Sequence, residues 1–178
     1  MRSVDHAREL FLNAFRWTDG HADLSAVFRS PDLLAALGPA MVASFRSAGV
    51  TVVVGPEARG FVLGALCARA LDVGLVLARK TGSIHPGPRV TTTSEPDWRG
   101  RQISFEISKV LGPTDRVLLV DDWIETGSQA DAVRRAIELC GAVLVGTSVI
   151  VDQRSPSRCE ALRLSSLVRY SELPPSNS

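Results

Sequence analysis

The chain has 178 residues, 45% of them hydrophobic and 22% charged, which fits one soluble domain able to bury its own core. A formal net charge of +1 argues against a binder of bulk nucleic acid, which carries a strong basic excess. No apolar run approaches the ~20 residues that span a bilayer, and Arg2, Asp5, Arg8 and Glu9 interrupt the stretch where a secretory leader is apolar, so a cytoplasmic protein is expected.

A first helix is expected over Asp5–Trp17, where Leu10, Phe11, Ala14 and Phe15 recur at helical spacing. A polar stretch, Thr18 to Asp23, leads into Leu24–Phe28. Asp32–Ala48 is again helical in pattern, with Gly38 and Pro39 expected to kink or split it. From Val50 the rhythm changes. Strands are expected at Thr51–Val54, Leu75–Ala78, Ile103–Val110, Val117–Val120 and Val143–Val151. Helices are expected at Phe61–Leu71 and at Ala130–Cys140, the second stopped by Gly141. Thr81–Gly100, rich in Gly, Pro, Thr and Ser, reads as a long loop or hairpin. Gly112-Pro113 reads as a turn, and Pro174–Ser178 as a fraying tail. Cys67, Cys140 and Cys159 are odd in number and form no C-x-x-C pair, so buried filler is expected of them rather than a disulfide framework or a zinc site.

Strands alternating with helices predict an α/β fold with a parallel, doubly wound, Rossmann-like sheet. Residues 1–48 then form N-terminal helices and an acceptor segment, 49–173 the core, and 174–178 the tail. In such sheets ligands bind beyond the carboxyl ends of the strands. The polar loops fall there: Glu57–Gly60 after the first core strand, Arg79–Gly82 after the second, Asp121–Ser128 after the central one and Asp152–Arg154 after the last.

The strongest signal is Val117–Gln129: an apolar strand, paired acids, a Thr-Gly turn and a helix start. A tight turn feeding a helix N-terminus presents unpaired N–H groups and suits a phosphate. Thr126 and Ser128 add hydroxyl donors. Acids so close to a phosphate are tolerable only with a diol or a cation to contact. The segment resembles the signature of type I phosphoribosyltransferases, which bind phosphoribosyl pyrophosphate (PRPP). The resemblance implies that Asp121 and Asp122 contact the ribose hydroxyls and that Thr126, Gly127, Ser128 and Gln129 hold the 5′-phosphate.

Further segments are similar to adenine phosphoribosyltransferases: Glu57–Phe61, Ala78–Gly82 followed by Pro86-Gly87, and Asp23–Val27. They imply a pyrophosphate site at Arg59, Arg79 and Lys80, and an acceptor site at His21, Ala22 and Asp23 with Asp152. They also imply a small N-terminal hood, a flexible loop, a homodimer, and Mg²⁺ carried by PRPP with no direct metal cluster, Asp121 or Asp122 being the nearest protein ligand. The partners are PRPP and a small heterocycle, with no nucleic acid and no membrane. Adenine is the default acceptor. The same chemistry on a non-purine acceptor in specialised metabolism, or PRPP binding without catalysis, are the alternatives.

The sequence departs from that family at the acceptor side. His21-Ala22 stands where the adenine enzymes carry Phe-Arg. Ser83-Ile84-His85 lengthens the pyrophosphate loop. Glu125 replaces a small residue before the Thr-Gly turn. At ~4 Å and an effective dielectric of ~20, a carboxylate facing the phosphate would cost about 4 kcal/mol per charge pair. Glu125 is therefore expected to face the acceptor as a catalytic base, with a solvent-facing glutamate as the plain alternative. Asp97, in the loop before Gly100, is the second catalytic candidate.

Overall fold

The computed structural model describes residues 2–82, 86–96, 100–154 and 162–175. The first helix, α1 (Arg2–Ala14), buries Ala7 and Phe11 and stops short of Trp17. Arg16–Thr18 (β1) and His21–Asp23 (β2) instead pair antiparallel around Asp19-Gly20, where both residues are left-handed, with φ of 50° and 72°. An Asp-Gly pair with positive φ at both positions closes a two-residue hairpin. That turn overrides the helical spacing of Phe15 and Trp17, whose rings then meet edge to face at 5.1 Å.

Two short helices follow. Asp23 accepts the Ser25 N–H at the start of α2 (Ser25–Arg29), at 2.8 Å. Ser30 caps α3 (Pro31–Met41), its hydroxyl accepting the Leu33 N–H at 3.3 Å, with Pro31 in the first turn. Pro39 does not split α3. Burial of Leu37, Ala40 and Met41 on both sides of it holds the helix together. The helical run expected up to Ala48 ends instead at Met41, followed by a 3-10 turn at Ala43–Phe45.

The core elements are β3 (Val52–Pro56), α4 (Arg59–Leu71), β4 (Gly74–Lys80), β5 (Arg89–Thr93), β6 (Ser104–Ser108), β7 (Arg116–Ile124), α5 (Ser128–Leu139), β8 (Val143–Asp152) and β9 (Leu164–Arg169). They form a seven-stranded sheet in the order β5-β6-β4-β3-β7-β8-β9. The expected parallel, doubly wound sheet is present from β4 to β9, each of those pairs being parallel. At one edge, β6 runs antiparallel to both β4 and β5, so the Thr81–Gly100 stretch contains a strand.

Period-two alternation sends side chains to two cores. Val53, Leu118, Val120 and Ile150 pack with α1, α3 and α4. Val52, Val54, Val117 and Leu119 pack with Ala132, Val133, Ala136 and Ile137 of α5. Cys67 lies fully buried in the first of these, where withdrawal from water pushes its thiol up to about 12. Cys140 is half-buried, and Cys159 lies outside the described residues. No helix among the described residues is long and apolar enough to cross a membrane.

Candidate active site

The carboxyl ends of β3, β4 and β7 and the amino end of β6 surround a cleft of about 700 Å³. Nine of the expected site residues line it: Arg59, Lys80, Asp121, Asp122, Glu125, Thr126, Gly127, Ser128 and Gln129. The acids differ from the expectation in one respect. Strand β7 runs on to Ile124, so Asp121 and Asp122 lie within it, Asp121 in register with Val149 of β8.

Arg59 reaches the cleft through a tight return at the end of β3. A Cβ on Gly55 would come within 2.1 Å of the Gly60 carbonyl oxygen, and one on Gly60 within 2.6 Å of Pro56 Cδ. Only glycine at both positions lets the first turn of α4 fold back onto β3. Within that return the Glu57–Ala58 peptide is cis. Glu57 braces it against β4: its N–H donates to the Ala78 carbonyl at 2.9 Å, and its carboxylate accepts the Lys80 N–H at 3.0 Å. The Arg59 guanidinium then pairs with the Asp122 carboxylate across the cleft.

Asp121 is left with less compensation. Its carboxylate accepts the Asp122 N–H at 2.9 Å. Withdrawal from water, and then the adjacent negative charge of Asp122, hold its carboxyl well above the usual aspartate range. A nearby hydroxyl donor or cation would relieve that cost.

Beyond β7, Gly127 caps α5 with a φ of 84°, a left-handed conformation that favours glycine. Thr126 and Ser128 close the turn. The Thr126 hydroxyl donates to the Ser128 hydroxyl at 3.1 Å and accepts the Ser128 N–H at 3.3 Å. The helix start points its partial positive charge into this loop. Arg59, Lys80 and the loop amides thus surround a space with Asp121 and Asp122 at its base, an arrangement whose charges and donors suit a polyanion joined to a diol.

Several expected residues stand elsewhere. Arg79 and Lys80 are neighbours in β4 and so point to opposite faces of the sheet; Lys80 is the one that lines the cleft. His21, Ala22 and Asp23 form β2 in the hood. The Asp23 carboxyl is held below its usual range, first by its hydrogen bonds to Ser25. Asp152 is buried at the end of β8. Its oxygens accept from Arg154, at 3.1 Å, and from Arg169, at 2.8 Å. Asp97 and Ser83–His85 lie outside the described residues.

Sequence reasoning passed over Arg101, Gln102 and Ile103, which line the cleft. The rule that functional groups follow strands misses them because β6 is antiparallel, so its amino end lies at the ligand edge. The antiparallel reversal itself had a signal in the Gly/Pro-rich stretch before it. Trp123 and Thr147 also line the cleft. They read as apolar-run and strand positions.

Known proteins agree with this geometry. Residues 23–160 match the phosphoribosyl transferase domain family. An adenine phosphoribosyltransferase of Edwardsiella ictaluri (strain 93-146) is 36% identical over 154 residues, covering 83% of this chain and 82% of that one. The crystal structure of the Rhodothermus marinus DSM 4252 adenine phosphoribosyltransferase superposes with a TM-score of 0.83 at 28% identity, over 93% of this chain and 99% of that one. The Saccharomyces cerevisiae enzyme, complexed with D-2,5-dideoxy-2,5-imino-altritol 1,6-bisphosphate and adenine, gives a TM-score of 0.80 at 27% identity, over 92% and 99%. A Thr-Gly loop and paired aspartates in the cleft of a mostly parallel sheet, with that match across most of its length, make this chain a member of the phosphoribosyltransferase family of pentosyltransferase enzymes.

Proposed function

We propose that the protein transfers the 5-phosphoribosyl group of PRPP to a ring nitrogen of adenine. The bond from ribose C1 to the pyrophosphate oxygen breaks, the new C1–N bond forms, and the displaced N–H proton leaves to a base. The observation that carries this reading is the under-compensated Asp121 beside Asp122, at the foot of the α5 phosphate loop and opposite Arg59 and Lys80. The relatives' names supply adenine as the acceptor.

In this reading Asp121 and Asp122 receive the ribose 2′ and 3′ hydroxyls. The amides and hydroxyls of Thr126, Gly127, Ser128 and Gln129 hold the 5′-phosphate. Arg59 leaves Asp122 for the pyrophosphate, where Lys80 joins it, and Arg79 supports that site from the other face of β4. Charge neutralisation of the departing pyrophosphate and positioning of the acceptor do most of the work on an oxocarbenium-like transition state. Glu125, at the cleft rim between buried Ile124 and Thr126, takes the acceptor proton, with Asp97 as the second candidate. His21, Ala22 and Asp23 form the acceptor's hood. Asp152 acts there only through the arginines it holds.

Mg²⁺ fits the site. Asp121 and Asp122 set two carboxylates side by side in the cleft, and a divalent ion favours the charged form of both. Among the described residues no group of three or more His, Cys, Asp or Glu side chains could hold a metal. Oxygens of PRPP and water would complete the shell, as is usual for this ion. Bound there, it would neutralise charge on the leaving pyrophosphate. A homodimer and a cytoplasmic location follow from the same family reading.

The test is the purified protein with PRPP, Mg²⁺ and a panel of heterocycles including adenine, read by mass. AMP and pyrophosphate are expected. A phosphoribosylated product from another heterocycle alone would replace adenine. Absence of any product would overturn transfer.

A further inference from the structure

The last described stretch of the chain crosses back over the first. Strand β9 ends at Arg169, and a single 3-10 turn, Tyr170–Glu172, leads to Leu173 and Pro174. Contacts of several kinds tie this stretch to the N-terminal elements. The Arg8 guanidinium of α1 pairs with the Glu172 carboxylate. The Trp17 indole N–H of β1 donates to the Pro174 carbonyl at 2.7 Å. The rings of Trp17 and Tyr170 meet at 6.1 Å and 70°. Leu173 packs against the core that α1 and α3 share. The turn is itself anchored. Glu172 accepts the Arg169 N–H at 2.6 Å, and the Arg169 side chain donates to buried Asp152 at 2.8 Å.

What this stretch holds is the hood hairpin. Strands β1 and β2 are three residues each and pair with one another apart from the main sheet. So short a two-stranded ribbon is marginal on its own in water and needs something to pack against. Trp17 is the centre of β1, and its cross-strand partner is Ala22, the centre of the expected acceptor segment. The Trp17 ring also meets Trp123, a residue of the cleft wall, at 6.1 Å. Tyr170 closes the triangle, meeting the Trp123 ring at 5.9 Å. All three ring pairs are edge-on, the arrangement aromatic rings favour. The C-terminal turn therefore sets where the hairpin stands against the cleft.

We propose that the segment Tyr170–Pro174 is a strap that positions the acceptor hood, with Tyr170 and Trp17 as its positioning residues. This rests on the reading above in which His21, Ala22 and Asp23 border the acceptor. Neither ring has to touch the substrate. Fixing Trp17 fixes Ala22 across the ribbon, and a hood already held in place spares the acceptor the cost of ordering it on binding. The groups assigned to the ribose and phosphate stand on β7 and at the start of α5. Strand β7 is held between β3 and β8, apart from the hairpin. The effect of the strap thus falls on the acceptor and not on PRPP.

The test compares Tyr170→Ala, Tyr170→Phe and Trp17→Phe with the wild type in steady-state kinetics, together with amide hydrogen exchange across β1 and β2. Tyr170 is 41% exposed, so its truncation spares the core. Tyr170→Ala removes two ring pairs. It is expected to raise the acceptor KM roughly 3- to 30-fold, with kcat and the PRPP KM within about twofold, and to speed exchange of the hairpin amides. Tyr170→Phe keeps the ring and is expected to restore the wild-type acceptor KM. Trp17→Phe keeps a ring but loses the donor to Pro174, and should raise the acceptor KM by less than Tyr170→Ala. An unchanged acceptor KM in Tyr170→Ala, or an equal rise in both KM values, overturns the inference whatever the exchange rates do. Should the alanine variant fail to fold, the same split between the two KM values in Trp17→Phe decides. Failure of the underlying function is distinct: no phosphoribosylated product from the wild type removes the transferase reading, and this inference with it.

Discussion

Strands β7 and β8 lie side by side in the sheet, are apolar along most of their length and end at the same edge, Ile124 in register with Asp152. Their acids are treated in opposite ways. Asp152 is buried and fully engaged, with Arg154 on one side and Arg169 on the other. Asp121 sits beside a second carboxylate, and the Arg59 guanidinium pairs with that second carboxylate, Asp122. A buried carboxylate whose oxygens are already met by cations is a strut, because a ligand could gain little from it. One held above its normal titration range by burial and a like charge stores an unfavourable term that a diol or cation removes on binding. The difference lies in the partners, since both are aspartates in the carboxyl-terminal halves of neighbouring strands.

The sharpest way to break the comparison is Asp121→Asn. Losing charge-assisted bonds to the ribose is expected to cost about 1.5–3 kcal/mol, roughly 10- to 150-fold in kcat/KM for PRPP. The stability of the ligand-free protein should move the other way. Folding raises the Asp121 carboxyl above its unfolded value of ~3.9, so the folded chain binds that proton more tightly. This contribution is complete below the unfolded value and is lost as pH rises through the raised folded value. The asparagine variant lacks that loss. Its urea midpoint should exceed that of the wild type at pH 7 and converge with it near pH 4. A midpoint at pH 7 below wild type would show Asp121 to be a strut like Asp152.

Asp152→Asn should give the mirror image. It leaves Arg154 and Arg169 facing a neutral group, and a buried charge-assisted bond lost is worth about 1–3 kcal/mol of stability. Part of that is recovered because Arg169 is largely exposed. Denaturant unfolding should show the loss, while kcat/KM for PRPP at 25 °C stays within about threefold of wild type. A large kinetic defect with normal stability would return Asp152 to the acceptor site.

Much of this was legible in the sequence, and the legible part has a common cause. The run Val117–Gln129 combines local signals that agree: an apolar strand, acids, a glycine that must be left-handed, and a helix of clear period. The parallel core followed from the strand–helix alternation in the same way. What escaped depended on distant partners. The tandem Arg79-Lys80 reads as one basic pair, yet a strand sends its members to opposite faces. The helical spacing through Trp17 was outvoted by the Asp19-Gly20 turn, and Trp17 then met Trp123 and Tyr170, which no local pattern links. Strand β9 carries Ser165 and Ser166 in its middle, which broke the apolar run that would have announced it; the Ser44 and Ser165 hydroxyls lie 3.3 Å apart.

Thr147 offers the finest division between satisfied and unsatisfied groups on these strands. It precedes Asp152 on β8, pairs in register with Leu119 and is fully buried. Its hydroxyl has no hydrogen-bond partner among the described residues. Where Asp152 returns its desolvation cost through two arginines, Thr147 returns none. A buried hydroxyl without a partner costs about 1–3 kcal/mol, and replacement by a methyl group of similar shape removes that cost. Valine also keeps the β-branch that suits a central strand. Thr147→Val should therefore stabilise the ligand-free protein by about 1 kcal/mol in urea unfolding, with the m-value unchanged. The PRPP KM should stay at its wild-type value, because Thr147, although it lines the cleft, keeps its hydroxyl fully buried. A rise in that KM would instead make Thr147 a ligand donor that, like Asp121, carries an unpaid cost until substrate arrives.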